Sequence, residues 1–129
     1  MRFMMLIKAN EAFEAGVPPP PELVVAMGTL ADEMTERGIL LSAEGMKPSA
    51  HGTRVRHARG ERSVIDGPFT ETKELIGGFS IVDVGSKRAA IELAERVARI
   101  HAECGVEEFE IEVRPLFEHG ECAHQAAVT

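Results

Sequence analysis

Tryptophan and tyrosine are both missing from this 129-residue chain, so its aromatic ring contacts fall to six phenylalanines and five histidines. Cysteine is nearly absent too. Cys104 and Cys122 are too few to make the disulfide framework that staples small secreted domains. No stretch approaches the ~18 apolar residues of a membrane-spanning helix. The N-terminal MRFMMLIKANE lacks the long apolar segment and small-residue cleavage site of a secretory signal. Basic residues are the minority, 14 against 21 acidic, for a net charge of −7. An acidic chain is a poor general partner for nucleic acid or anionic membrane. There is no phosphate-binding glycine loop, and no serine or cysteine sits in a recognisable nucleophile turn. These absences lead us to expect a cytoplasmic protein with no nucleic-acid partner, no membrane partner and no cofactor.

What is present suits an ordinary globular domain: 44% apolar and 27% charged residues, in a chain long enough to bury a core. We expect one domain over 1–116 and a small polar tail over 117–129. Arg2–Lys8 reads as a buried strand, and Ala9–Pro21 as a loop ending in four prolines. Leu23, Met27, Leu30 and Met34 form one apolar stripe on a helix from about Glu22 to Arg37, closed by Gly38. Ile39–Met46 reads as a strand. Thr53–His57 and Arg62–Ile65 flank a turn and make a hairpin. Phe79–Val84 is a strand entered through Gly77-Gly78. Ser86 caps a second helix, Lys87 to about Glu103. In Phe109–Pro115, Phe109, Ile111 and Val113 alternate with Glu110, Glu112 and Arg114, the mark of a half-buried strand.

Without the hairpin this order is βαββαβ, so the expected fold class is α+β, a ferredoxin-like split βαβ sheet with both helices on one face. The strands starting near Arg2 and Phe79 would be central, and they are apolar on both sides. An apolar sheet face left uncovered by helices points to a homodimer. We expect Phe3, Met5, Phe79 and Ile81, or their neighbours on the alternate face, to be buried against a second copy. Polar residues on the edge strands would then line a small cleft at the sheet margin.

The densest local pattern is Asp66-Gly67-Pro68-Phe69-Thr70-Glu71-Thr72-Lys73-Glu74. Glycine allows backbone angles closed to other residues and proline fixes φ, so this turn can hold its acids in place. Asp66 reads either as a general base or ligand anchor, or as a residue capping its own turn. Glu71 and Lys73 read as ligand contacts, as a clamp on a dimer partner, or as part of a solvated charged loop. Arg54, Arg56, His57, Arg59 and Arg62 make the hairpin basic, with His51 just before it. No interleaved aromatic stacks a base there, which favours a solvated hairpin over a nucleic-acid site. His119, Cys122 and His124 have zinc-ligand chemistry but no second half, so no metal is expected. His101 reads as a surface or boundary residue, and Cys104 as a packed helix end.

The Asp66–Glu74 run, continuing into Gly77-Gly78-Phe79, resembles the signature of the DGPF proteins, a branch of the YCII-related family. That resemblance implies a dimeric α/β barrel in which two sheets face each other. It tips Asp66 toward function, since the family's Asp lies there. Glu44 before Gly45 and Arg114 before Pro115 are also similar to family members. An arginine at a dry sheet margin suits bidentate carboxylate binding, although an edge charge can simply block further strand pairing. Some YCII-related proteins look like enzymes using a His–Asp pair, with the His on the first helix. The equivalent place here is Met27. The expectation is therefore an accessory or regulatory dimer binding a small polar ligand near its interface, through Glu44, Glu71, Lys73 and Arg114. The alternative is a small acid–base enzyme, of lyase or isomerase type, with Asp66 as base on a small carboxylic or aromatic substrate. The resemblance also implies a pathway shared with extracytoplasmic-function sigma factors.

Overall fold

A computed structural model describes residues 1–121. In chain order the elements are β1 (Arg2–Lys8), α1 (Glu11–Glu14), α2 (Pro21–Glu36), β2 (Leu40–Gly45), β3 (Thr53–Ala58), β4 (Glu61–Asp66), β5 (Ile76–Asp83), α3 (Lys87–Glu103) and β6 (Ile111–Pro115). Four strands form one antiparallel sheet in the order β2-β5-β1-β6, and β3 and β4 pair separately as a hairpin. The two central strands are the two expected. No described helix is long and apolar enough to cross a membrane.

Local chemistry sets the helix ends. Pro21 occupies the first turn of α2, where its missing N–H costs nothing. At the other end Gly38 adopts φ +72°; its N–H bonds the Thr35 carbonyl and the Ile39 N–H bonds the Met34 carbonyl. That is the paired closure a left-handed glycine makes possible. Ser86 Oγ accepts the Ala89 N–H at 3.1 Å and starts α3 where the sequence indicated.

Strand pairing assigns each side chain to a face. Phe3, Met5 and Val82 point toward the helices and are buried with Ala90 and Ala94 of α3. A second cluster joins Leu30 and Met34 of α2 to Val97 of α3. Arg96 tightens the same seam with two bonds to Glu33, at 2.8 and 3.0 Å. That bond holds the Glu33 carboxyl below the 4.5 of a free glutamate.

Several expectations need correction. Phe3 and Met5 belong to the helix-covered core, so Met4 and Leu6, paired with Ile81 and Phe79, are the residues on the open face. The segment read as a loop contains the short helix α1, whose Asn10 cap accepts the Phe13 N–H at 2.8 Å. β5 begins at Ile76, so Gly77 and Gly78 lie inside it. A Cβ at Gly78 would come 3.1 Å from the Glu44 carbonyl, and one at Gly77 would touch the Phe13 ring at 3.4 Å. β6 begins only at Ile111, because Phe109 leaves the strand to stack on His101, ring centres 3.8 Å apart. His101 is consequently buried, and its Nδ1–H donates to the Val97 carbonyl at 2.8 Å.

Candidate functional site

Three places hold the residues the sequence singled out. The first is the turn after β4. Ser49, in a 3-10 turn ahead of the hairpin, is its hub. Its N–H donates to Glu14 Oε2 at 2.8 Å, its hydroxyl donates to Glu14 Oε1, and its Oγ accepts the Phe69 N–H at 3.0 Å. Gly67 is pressed against the same turn. A Cβ built on it would lie 1.8 Å from the Ser49 carbonyl oxygen. Its φ is not in the left-handed region, so this glycine is required by close approach of two backbones and not by an unusual angle. The Gly67–Pro68 bond is cis.

Asp66 ends β4 exposed to solvent, and its Oδ1 accepts the Thr53 hydroxyl at 2.9 Å across the hairpin base. Arg54 lies over the Phe69 ring at 3.8 Å and reaches Glu71 at 3.7 Å. Lys73 is exposed in a 3-10 turn, Thr72–Glu74. Asp66, Arg54 and Glu71 are thus gathered around one turn, with their charged groups toward water. Glu14 and Ser49, which organise it, carried no signal in the sequence beyond a polar residue after a proline.

The second place is the open sheet face. Met4, Leu6, Phe79 and Ile81 form its centre. Ser42 and Glu44 flank it on β2, and Glu112 and Arg114 on β6, as the edge-strand reading required. Within one subunit Glu44 and Arg114 are on opposite edges. Arg114 bonds Glu112 at 3.1 Å and Lys8 approaches the same carboxylate at 3.4 Å. These bonds hold Glu112 below the ordinary glutamate range, that of Arg114 contributing most.

The third place, not anticipated, is a cavity of about 320 Å³ between α2 and the covered face of the sheet. Met27, Leu30, Ala31 and Met34 form its roof, Met5, Ile7, Ala43 and Gly78 its floor, and Leu93, Val97 and Ile111 close it. Its size is at the lower end for small-molecule sites. Glu44 is the one ionisable residue among its lining, and strand alternation turns that side chain toward the open face. Neither Asp66 nor Arg114 lines it. Met27 contributes a soft apolar wall. Among the described residues no cluster of His, Cys, Asp or Glu is arranged to hold a metal; Cys122 and His124 lie outside the described residues.

A four-stranded antiparallel sheet covered by two helices on one face, with an apolar chamber beneath the first long helix, defines an α+β protein built around a small-molecule-sized cavity. The chain belongs to the YCII-related domain family, whose sequence profile matches residues 1–115. An uncharacterized protein of Rhizobium meliloti (strain 1021) is 36% identical to it over 81 residues, or 63% of this chain. The matched stretch spans 62% of that relative's length, somewhat less than two thirds.

Proposed function

We propose that this protein is a homodimeric binding module that takes a small, mainly apolar molecule into the cavity beneath α2, in an accessory or regulatory capacity. The observation carrying the proposal is the lining of the cavity. Three methionines, Met5, Met27 and Met34, adapt to a guest's shape, and aliphatic side chains supply most of the remaining wall. No side chain placed for proton transfer faces the chamber, and Asp66 stands outside it. Binding is therefore favoured over acid–base turnover, and an apolar guest over a polar one.

The dimer forms through the open face. Four apolar side chains there are only half-buried within the chain, and the rim carries charges of both signs. A two-fold axis running along the strands lays β2 of one copy over β6 of the other. The register then sets Ser42 level with Arg114 of the partner subunit and Glu44 level with the partner's Glu112, beside the Arg114 and Lys8 charges that bind that carboxylate.

Phenylnaphthylamine, a neutral fluorescent probe, tests the cavity, and 1-octanol serves as competitor. Ala31→Trp fills the chamber from α2 and should weaken the probe at least about tenfold, equivalent to 1.4 kcal/mol, with the circular dichroism spectrum unchanged. Unchanged affinity in both Ala31→Trp and Ala43→Phe would remove the cavity from consideration. Sedimentation equilibrium tests the dimer: Leu6→Asp should give a folded monomer, and a monomeric wild type would refute this interface.

A further inference from the structure

The β3–β4 hairpin has no visible reason to be stable where it stands. Every residue from Thr53 to Asp66 is exposed, and Val55 and Val64, paired on one face, are 68% and 66% accessible. A two-stranded ribbon alone in water is marginal at best. Its root, however, is firmly held. The Gly67 N–H bonds the Gly52 carbonyl at 2.9 Å, and the Ser49 hub ties this base to α1. α1 in turn packs Phe13 on Gly77, on the side of the sheet toward which Phe79 points. The ribbon is therefore rooted on the open-face side, at the sheet end where β2 finishes.

Its charge opposes that of the rest of the chain. Four arginines against Glu61 and Asp66 leave the hairpin at +2, so the remainder carries −9 of the total −7. Arg54 is occupied by Phe69 and Glu71, while Arg56, Arg59 and Arg62 have no ion-pair partner among the described residues. A complementary surface lies at the same end of the sheet on the opposite edge. Glu107, Glu108 and Glu110 lead into β6, all three exposed and without ion-pair partners among the described residues. The register fixes this placement: Gly45 pairs with Gly78, Gly78 with Ile7, and Ile7 with Ile111.

We infer that the hairpin is an arm that embraces a second copy of this chain, laying its free arginines on the partner's Glu107–Glu110 segment and covering Val55 and Val64. This rests on the open-face dimer proposed above. The two-fold axis along the strands keeps both copies' β2 and β6 ends at one level. The acidic segment of each copy is thereby brought beside the hairpin root of the other. Each dimer has two such contacts. Polar groups of opposite sign meet at the rim, where they steer association and weaken with salt.

The test is a charge exchange read by sedimentation equilibrium on the full chain. Arg56→Glu/Arg62→Glu and Glu107→Arg/Glu108→Arg should each raise the dimer dissociation constant about tenfold or more at low salt. Both sets combined in one chain should restore it to within about threefold of wild type, and 0.5 M salt should shrink every difference. If both single sets leave dimerisation unchanged while Leu6→Asp abolishes it, the arm contact is wrong and the open-face dimer stands. A monomeric wild type would remove both. A single-stranded oligonucleotide that binds wild type and is released by Arg56→Glu/Arg62→Glu, with the dimer intact, would overturn the arm in favour of a nucleic-acid contact.

Discussion

Replacing Gly67 with alanine adds one methyl group where the structure has no room for it. The new Cβ would lie 1.8 Å from the Ser49 carbonyl oxygen and 2.7 Å from its carbon. Both are backbone atoms that no rotamer change can move. Ordinary contact begins near 3.4 Å, so the two segments must part by about 1.6 Å. Two hydrogen bonds cross this contact, Gly67 N–H to Gly52 at 2.9 Å and Phe69 N–H to Ser49 Oγ at 3.0 Å. Stretched by that amount, each passes 4 Å and ceases to be a hydrogen bond. Two neutral bonds at about 0.5–1.5 kcal/mol each, with the residual strain of overpacking, come to roughly 2–4 kcal/mol. The segment has few contacts with the sheet, so it should detach locally before the sheet melts. Amide hydrogen exchange is the right assay. Protection at Phe69 should fall by about 2 kcal/mol or more, roughly 30-fold faster exchange, while β1 and β5 amides change little. Gly28→Ala is the matched control: Gly28 is exposed in α2, and a Cβ there meets nothing within 4 Å. That variant should gain about 0.5–1 kcal/mol. Wild-type exchange at Phe69 in Gly67→Ala would refute the argument, since it would mean the turn is not packed on Ser49.

Ile111→Ala should cost about 2 kcal/mol or more in urea unfolding, because Ile111 packs against both core clusters. Arg114→Ala, at an exposed edge, should stay within about 0.5 kcal/mol, and equal losses would mean the faces of β6 are reversed. Glu33→Gln should lower the melting temperature at neutral pH. The folded-state pKa of Glu33 is depressed, so its contribution is present above the unfolded value and is lost as pH falls through the folded one. The melting difference from wild type should therefore vanish in strong acid, and a difference that persists there would show that the Arg96 bond is not its source. Asp66→Asn should keep the hairpin, since an amide oxygen still accepts the Thr53 hydroxyl, and should leave phenylnaphthylamine affinity unchanged. A large loss of probe binding would move the site from the cavity to the turn.

How much of this was legible depends on whether the physics is local. The α3 cap at Ser86, the glycine closure of α2 at Gly38 and the hairpin are set by neighbours in sequence, and all three were readable. α1 was missed because four residues are too few to show a period, although Asn10 before Glu11 is a fair start signal. The faces of β1 were undecidable from β1 itself. Phe3, Met4, Met5, Leu6 and Ile7 are apolar in succession, and a continuous apolar run has no parity. The information was in β6, whose alternation is clean. Once Met4 is set opposite Arg114 and Ile7 opposite Ile111, the polar parity of β6 sends Met4 and Leu6 to the open face.

The candidate site shows the same division more sharply. Asp66, Glu71, Glu44 and Arg114 stood out because charged side chains are conspicuous in a sequence, yet each lies in water or at an edge, paired with a neighbour or alone. The cavity is made of what is missing between residues that individually read as core. Met27, Leu30 and Met34 would have been assigned to the α2 stripe whether or not a chamber lay beneath them. What opens the chamber is on its floor, where Ala43, Gly45 and Gly78 supply almost no side-chain volume. At Gly78 the small size is enforced from elsewhere, since a Cβ would crowd the Glu44 carbonyl. At Gly45 nothing lies within 4 Å of the missing Cβ and φ is not in the left-handed region, so the fold does not demand glycine there. A residue kept small where the backbone permits a larger one is what a binding chamber requires and a packed core does not. Gly45→Val should then be tolerated by the fold and felt by the probe, and a variant that unfolds while wild-type sheet exchange is intact would show that the smallness of Gly45 is structural after all.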